Sequence, residues 1–153
     1  MRPQEIFTQY SAALDRGDLD AMRALIHEDF RLEGAGLDGV GKPEFLAAMK
    51  AQMDAFPDYS ENPTDLQEIG DDVLQFVVHV TGTQTGTLAL PGLTPIPPTG
   101  RTVRLPREPA WVHIYDNQIL VYHVAPVPGG GLKGILAQLG VGNLRTDAKG
   151  QRP

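Results

Sequence analysis

The sequence predicts one α+β domain in which early helices cover one face of a curved antiparallel sheet. Apolar residues repeat at helical spacing as far as Phe56, and from Thr64 onward the period changes to the two-residue alternation of strands. Size agrees, since 153 residues with 41% hydrophobic content can bury one substantial core but not two. The expected domain spans 1–144, and the polar stretch 145–153 reads as a flexible tail.

Taken in order, Ile6, Tyr10, Ala13 and Leu14 mark a first helix, with Pro3 suited to its first turn and Gly17 to its stop. Asp18 is a candidate N-cap for a shorter helix carrying Ala21, Met22, Leu25 and Ile26 on one face. Phe30 to Glu33 alternates as a short strand, and a Gly-rich turn leads through Gly41. A third helix begins near Pro43 and ends at Pro57, with Phe45, Met49, Met53 and Phe56 on its inner side. Long strands are expected over Val73 to Thr83, Thr102 to Tyr115 and Gln118 to Val127. Pro106 and Pro109 lack ladder donors, so the middle one should contain a bulge or start only after Pro109. In the first, Leu74, Phe76, Val78 and Val80 share one face, and Gln75, Val77, His79 and Thr81 share a more polar one. Leu132, Ile135, Leu136 and Leu139 define a last helix that stops near Gly140.

Three ordered elements are specific enough to carry a resemblance. Gly82-Thr83-Gln84-Thr85-Gly86 precedes a Pro/Gly-rich connection closing in Pro97-Pro98-Thr99-Gly100-Arg101; Phe56-Pro57-Asp58 lies upstream, and the turn Asp116-Asn117-Gln118-Ile119 lies downstream. This pattern resembles the SnoaL-like polyketide cyclases, within the nuclear transport factor-like superfamily of cone-shaped, cystatin-like domains. The resemblance implies a cone-shaped α+β barrel: a curved antiparallel sheet wrapped around N-terminal helices, enclosing an apolar pocket and forming a homodimer through its open sheet face. It also implies ring closure by proton transfer on a hydrophobic carbonyl compound, as in the ester cyclases of the family, without metal or organic cofactor.

Counting from the Asp-Asn-Gln-Ile turn places His113 where the cyclases present a pocket histidine, and Trp111 shares its parity. An imidazole can exchange a proton near neutrality, so His113 is the leading catalytic candidate; a histidine bonded within the sheet or at a dimer surface is the bland alternative. The same ungapped alignment puts His123 at a customary tryptophan position and Val127 where the family has its acid/base aspartate. Valine transfers no proton, so His123, expected on the same face as Val127, is a possible substitute. Gln84 stands at the histidine position of its element, where it could orient a carbonyl or tie down the adjoining loop. Tyr10, Met49, Met53 and Phe56 read as core or pocket wall. Asp58, Glu33 and Glu108 are carboxylates whose burial could make them bases. His27 reads as a solvated residue at a helix end. The readings that follow are a small cyclase-like enzyme and, because of Val127, a non-catalytic dimer that binds an apolar metabolite.

A formal net charge of −6 without a long Lys/Arg run gives no footprint for nucleic acid or an anionic membrane. The lack of cysteine excludes thiolate chemistry. The first residues are too polar for a secretory leader and no 18-residue apolar run occurs, so a cytoplasmic location is the default expectation. No phosphate-binding loop, metal-ligand spacing or GxSxG turn is present.

Overall fold

Pro3, with its fixed φ, opens α1 (Pro3–Asp15), and Gly17 closes it at a φ of 71°, where the backbone N–H of Asp18 returns to Ala13 at 2.9 Å. The computed structural model describes residues 1–34 and 39–141. The Asp18 side chain then caps α2 (Leu19–Ala24) by accepting from the Ala21 N–H at 3.0 Å. Helix α2 is shorter than its apolar pattern suggested, because Ile26 and His27 already belong to the strand β1 (Ile26–Gly34). After α3 (Lys42–Ala55) come β2 (Thr64–Ile69), β3 (Val73–Val78), β4 (Thr81–Thr83), β5 (Thr102–Arg104), β6 (Glu108–Tyr115), β7 (Gln118–Val124) and α4 (Gly131–Gln138).

The main sheet has the order β1-β7-β6-β3-β2. Its β2-β3-β6-β7 pairs are antiparallel, β1 adds in parallel beside β7, and β4 and β5 form a separate ribbon. Each expected long strand is shorter than its alternating run. Val73 to Thr83 breaks between β3 and β4, and Thr102 to Tyr115 breaks at Leu105-Pro106-Arg107. The last strand stops at Val124 because Pro126 and Pro128 supply no ladder donor. Asp116 and Asn117 both adopt positive φ, 54° and 59°, the type I′ geometry that suits the right-handed twist of the two-residue β6–β7 turn.

Helix α1 lies on the inner sheet face, where the Phe7 ring centroid is 4.1 Å from Phe76 and the Tyr10 ring meets Tyr122 edge-on. Helix α3 packs on β1 through Phe45 and Phe30. The core thus sits between α1, α3 and the parity Leu74, Phe76, Val78 and Val80, all buried as the alternation required. The expected Gly-rich turn falls partly outside the described residues, and the end of the domain at 144 and the tail 145–153 fall wholly outside them.

Candidate functional site

Between α3, the sheet and α4 lies a partly open cavity with about 80 Å³ of water-accessible space. Phe45 and Met49 of α3, Val78 of β3, Val124 of β7, and Leu132 and Ile135 of α4 make most of its wall apolar. The polar exceptions are few, and they are buried: Gln52, Tyr59, Glu61, Glu108 and Tyr122.

Glu61 reaches this wall from an extended segment after Asp58. Ser60 exchanges backbone hydrogen bonds with Thr81, both 3.0 Å, and the Glu61 carbonyl accepts from the His79 N–H at 2.7 Å. Alternation along that segment leaves Ser60 at its edge and turns Tyr59 and Glu61 inward, each 8% exposed. The Glu61 carboxyl accepts from the Tyr122 hydroxyl at 2.9 Å. Burial penalises its charged form and lifts its pKa from 4.5 to about 7; the Tyr122 hydrogen bond opposes the shift, while Asp15 and Glu108 add to it. Burial, with the Glu61 charge nearby, in turn holds the Tyr10, Tyr59 and Tyr122 hydroxyls well above the usual tyrosine range, so they remain protonated donors.

Glu108, 2% exposed, is the second acid of the cavity. It starts β6 and accepts from the Gly131 N–H at 3.0 Å, fastening the first turn of α4. Burial raises its pKa, and the Gly131 hydrogen bond restrains the rise. Gly130 lets the backbone pass close to this carboxyl, since a Cβ there would lie 2.7 Å from the Glu108 Oε2 atom and push it aside. On α3, Gln52 is 8% exposed and its Oε1 atom has no hydrogen-bond partner, a deficit that costs about 1–3 kcal/mol.

The structure separates the histidines from this cavity. On β6 the apolar parity Ala110, Val112 and Ile114 faces inward, and Trp111 and His113 face outward, with Trp111 paired to Gln75 across the sheet. The His113 side chain is 36% exposed and its Nε2 atom lies 3.2 Å from Asp72. His123, 32% exposed, stacks on Trp111 at 5.1 Å and has its Nδ1 atom 3.4 Å from Glu33. Trp111, His113 and His123 thus share the outer face of the sheet, with Trp111 and His123 in contact, and none of them lines the cavity that the sequence reading had expected them to enter. Val127 leaves β7 before its parity applies; it lies half-buried in the connection to α4, where its carbonyl accepts from Gly130, so it does not share the His123 face. His27 lies in β1 beside Tyr115, not at a helix end.

Gln84 is completely buried and serves the loop. Its amide donates to the carbonyls of Gly86, Ile96 and Pro97, and its Oε1 atom accepts from the Thr99 N–H at 3.1 Å and the Thr99 hydroxyl at 2.7 Å. Met49 does line the cavity; Tyr10 and Phe56 are core beside it, and Met53 is half-buried against that core. Among the three carboxylates considered from sequence, Glu108 enters the cavity, Asp58 accepts from the Thr83 N–H at 2.7 Å, and Glu33 stays with His123. Glu61 was missed. Its only signal is the two-residue step from Tyr59 in a stretch bounded by Pro57 and Pro63. Among the described residues no group of three or more His, Cys, Asp or Glu side chains could hold a metal ion, and no helix is long and apolar enough to cross a membrane.

Comparison with known proteins agrees with this architecture. No curated protein matches the chain. A proposed polyketide cyclase of Pseudomonas putida superimposes with a TM-score of 0.66 at 25% identity, over 90% of this chain and 98% of the other. AclR, a proposed hydroxylase of Streptomyces galilaeus, gives 0.70 at 19% identity over 90% and 80%. A cystatin-fold protein of Novosphingobium aromaticivorans gives 0.63 at 19% identity over 82% and 99%. The sequence profile of the SnoaL-like domain matches residues 7–122, well over half of the chain. With the cone-type α+β fold and its motifs in place, the chain belongs to the SnoaL-like domain family, within the nuclear transport factor-like superfamily.

Proposed function

We propose that the chain is a small-molecule enzyme that moves a proton next to the carbonyl of a compact, largely apolar substrate, with ring closure as the cyclase-like outcome. One observation carries this reading: Glu61 is a buried carboxyl with a pKa of about 7, held by Tyr122 in the wall of an apolar cavity. A general base works best when its pKa lies near the working pH, and burial supplies that tuning here. In its ionised form Glu61 takes the proton from carbon, the carbon–hydrogen bond pair becomes the enolate, and the new carbanion attacks a second carbonyl. Glu61 then returns its proton to the oxygen formed in ring closure. Val127 has no part in this step, because Glu61 supplies the acid/base group from a different strand connection.

The reading is tested with cyclohexanone, a single-ring ketone, as the probe, by following solvent deuterium into the methylene groups beside its carbonyl by NMR. The wild-type protein is expected to accelerate exchange, and Glu61→Gln to lose about 10²- to 10⁴-fold of that acceleration with its fold unchanged. A Glu61→Gln protein as active as the wild type overturns the assignment. Binding without accelerated exchange in the wild type favours the ligand-binding reading that Val127 suggested.

A further inference from the structure

The wall of the cavity has an uneven polar character. Its ionisable carboxyls are Glu61 and Glu108, and no Lys, Arg or His stands among the described residues that line it. A ligand carrying a carboxylate or phosphate would bury a second negative charge beside these acids with no cation to compensate it. Acceptors, by contrast, are in surplus. Glu108 is met by one backbone N–H and Glu61 by one hydroxyl, and the Gln52 Oε1 atom by none.

Gln52 is the most telling of these. It sits on the inner face of α3 beside Met49 and Ala48, a position where leucine or methionine would fill similar volume without an unmet polar atom. Among the described residues, only Gln52 and Tyr10 bury a side-chain N or O atom without a partner, and of the two only Gln52 belongs to the cavity wall. An orphaned acceptor in a wall otherwise made of aliphatic and aromatic groups is a place prepared for a donor brought from outside.

We propose that the cavity takes a compact, largely apolar ligand that bears a hydroxyl group and no negative charge, and that Gln52 positions it by accepting the hydrogen bond of that hydroxyl. This rests on the cavity being the functional site, as in the proposed function, but it concerns binding and is read without turnover. The water-accessible space of about 80 Å³ is about half of the ~150 Å³ at which a dry cavity takes benzene, so the fitting ligand is on the scale of a single ring. The cavity is partly open and α4 is reached through Gly129 and Gly130, and Leu132 and Ile135 must give way as such a ring enters.

The test uses three para-substituted toluenes, 4-methylphenol and p-xylene of nearly equal shape and the larger, charged 4-methylbenzoate, titrated by NMR at neutral pH. The wild-type protein is expected to bind 4-methylphenol about tenfold more tightly than p-xylene, against the order of their hydrophobicity, and to show no saturation with 4-methylbenzoate. Gln52→Leu is expected to bind p-xylene at least as tightly as 4-methylphenol while still refusing the carboxylate, and Gln52→Met serves as the second variant should leucine disturb α3. An unchanged preference for the phenol in both variants overturns the role of Gln52. Saturable binding of 4-methylbenzoate as tight as that of the phenol, or binding of none of the three, overturns the ligand class. Loss of exchange activity in Glu61→Gln with the phenol preference intact leaves this inference standing, so the two readings fail separately.

Discussion

The corner where Phe56–Asp58 meets Gly82–Gly86 and the cavity next to it obey opposite rules. In the corner the buried polar groups have partners: Asp58 receives the Thr83 N–H, the Gln84 side chain bonds Gly86 and, in the Pro/Gly loop, Ile96, Pro97 and Thr99, and the Gly86 N–H reaches the Ala55 carbonyl. Gly82 lies against the Phe56 ring, where a Cβ would be 3.1 Å from it. In the cavity two carboxyls are buried with a single hydrogen bond apiece to protein donors, and one amide oxygen has none. The corner is satisfied and therefore structural, whereas the cavity holds the unmet hydrogen-bonding capacity and shifted proton affinity that chemistry needs. The motifs that identify the family are the ones that build its frame.

The largest stability effect expected from this contrast belongs to Glu61. Its pKa is about 7 in the folded protein and 4.5 when solvated, so between those values the folded state binds a proton that the unfolded chain has released. Its contribution is therefore present in full below pH 4.5, falls as pH rises toward 7, and is absent above. The change amounts to about 3 kcal/mol. Glu61→Gln keeps the neutral shape and the acceptor for Tyr122 but cannot ionise. Urea unfolding at pH 5 and pH 8 should show the variant gaining on the wild type by most of that amount at the higher pH. Parallel pH profiles for the two proteins would show Glu61 to be better solvated than its surroundings indicate.

The corner gives the complementary effect. A Cβ on Gly86 would stand 2.4 Å from the Asp54 carbonyl oxygen, and backbone cannot yield as a flexible side chain does. Gly86→Ala should lower stability by about 1–3 kcal/mol, seen as an earlier urea midpoint. Deuterium exchange per folded molecule should be retained, because no atom of the cavity wall belongs to Gly86. Loss of exchange in a folded Gly86→Ala protein would mean that frame and site are one unit.

The frame was legible in the sequence for the same reason that it is rigid. Fixed φ at Pro3, the cap at Asp18, the break at Pro57 and the alternation Leu74 to Val80 are local constraints, each expressed within a few residues of its cause. The site was less legible because it depends on which parity of a strand turns inward. For β6 both parities contain apolar side chains. The choice follows from cross-strand partners, Leu74 with Val112 and Gln75 with Trp111, which no single strand displays. A register shift between His113 and Ile114 against β7 further weakens counting back from the hairpin turn. Glu61 was harder still, since it stands outside every named strand and owes its inward turn to the Ser60–Thr81 bridge.

The smallest expected effect tests that parity directly. His113 pairs with Asp72 at 3.2 Å, but the histidine side chain is 36% exposed and the aspartate 60%, and ion pairs so open to solvent contribute at most about 1 kcal/mol. His113→Ala should therefore shift the urea midpoint only slightly and leave exchange at the wild-type rate, since the whole sheet separates the imidazole from Glu61. The informative comparison is with Val112→Ala, one position away on the buried face between Leu74 and Tyr122. That truncation removes core volume, so it should cost more stability than His113→Ala does. If His113→Ala instead abolished exchange while Val112→Ala left stability untouched, the inner and outer faces of β6 would have to be exchanged.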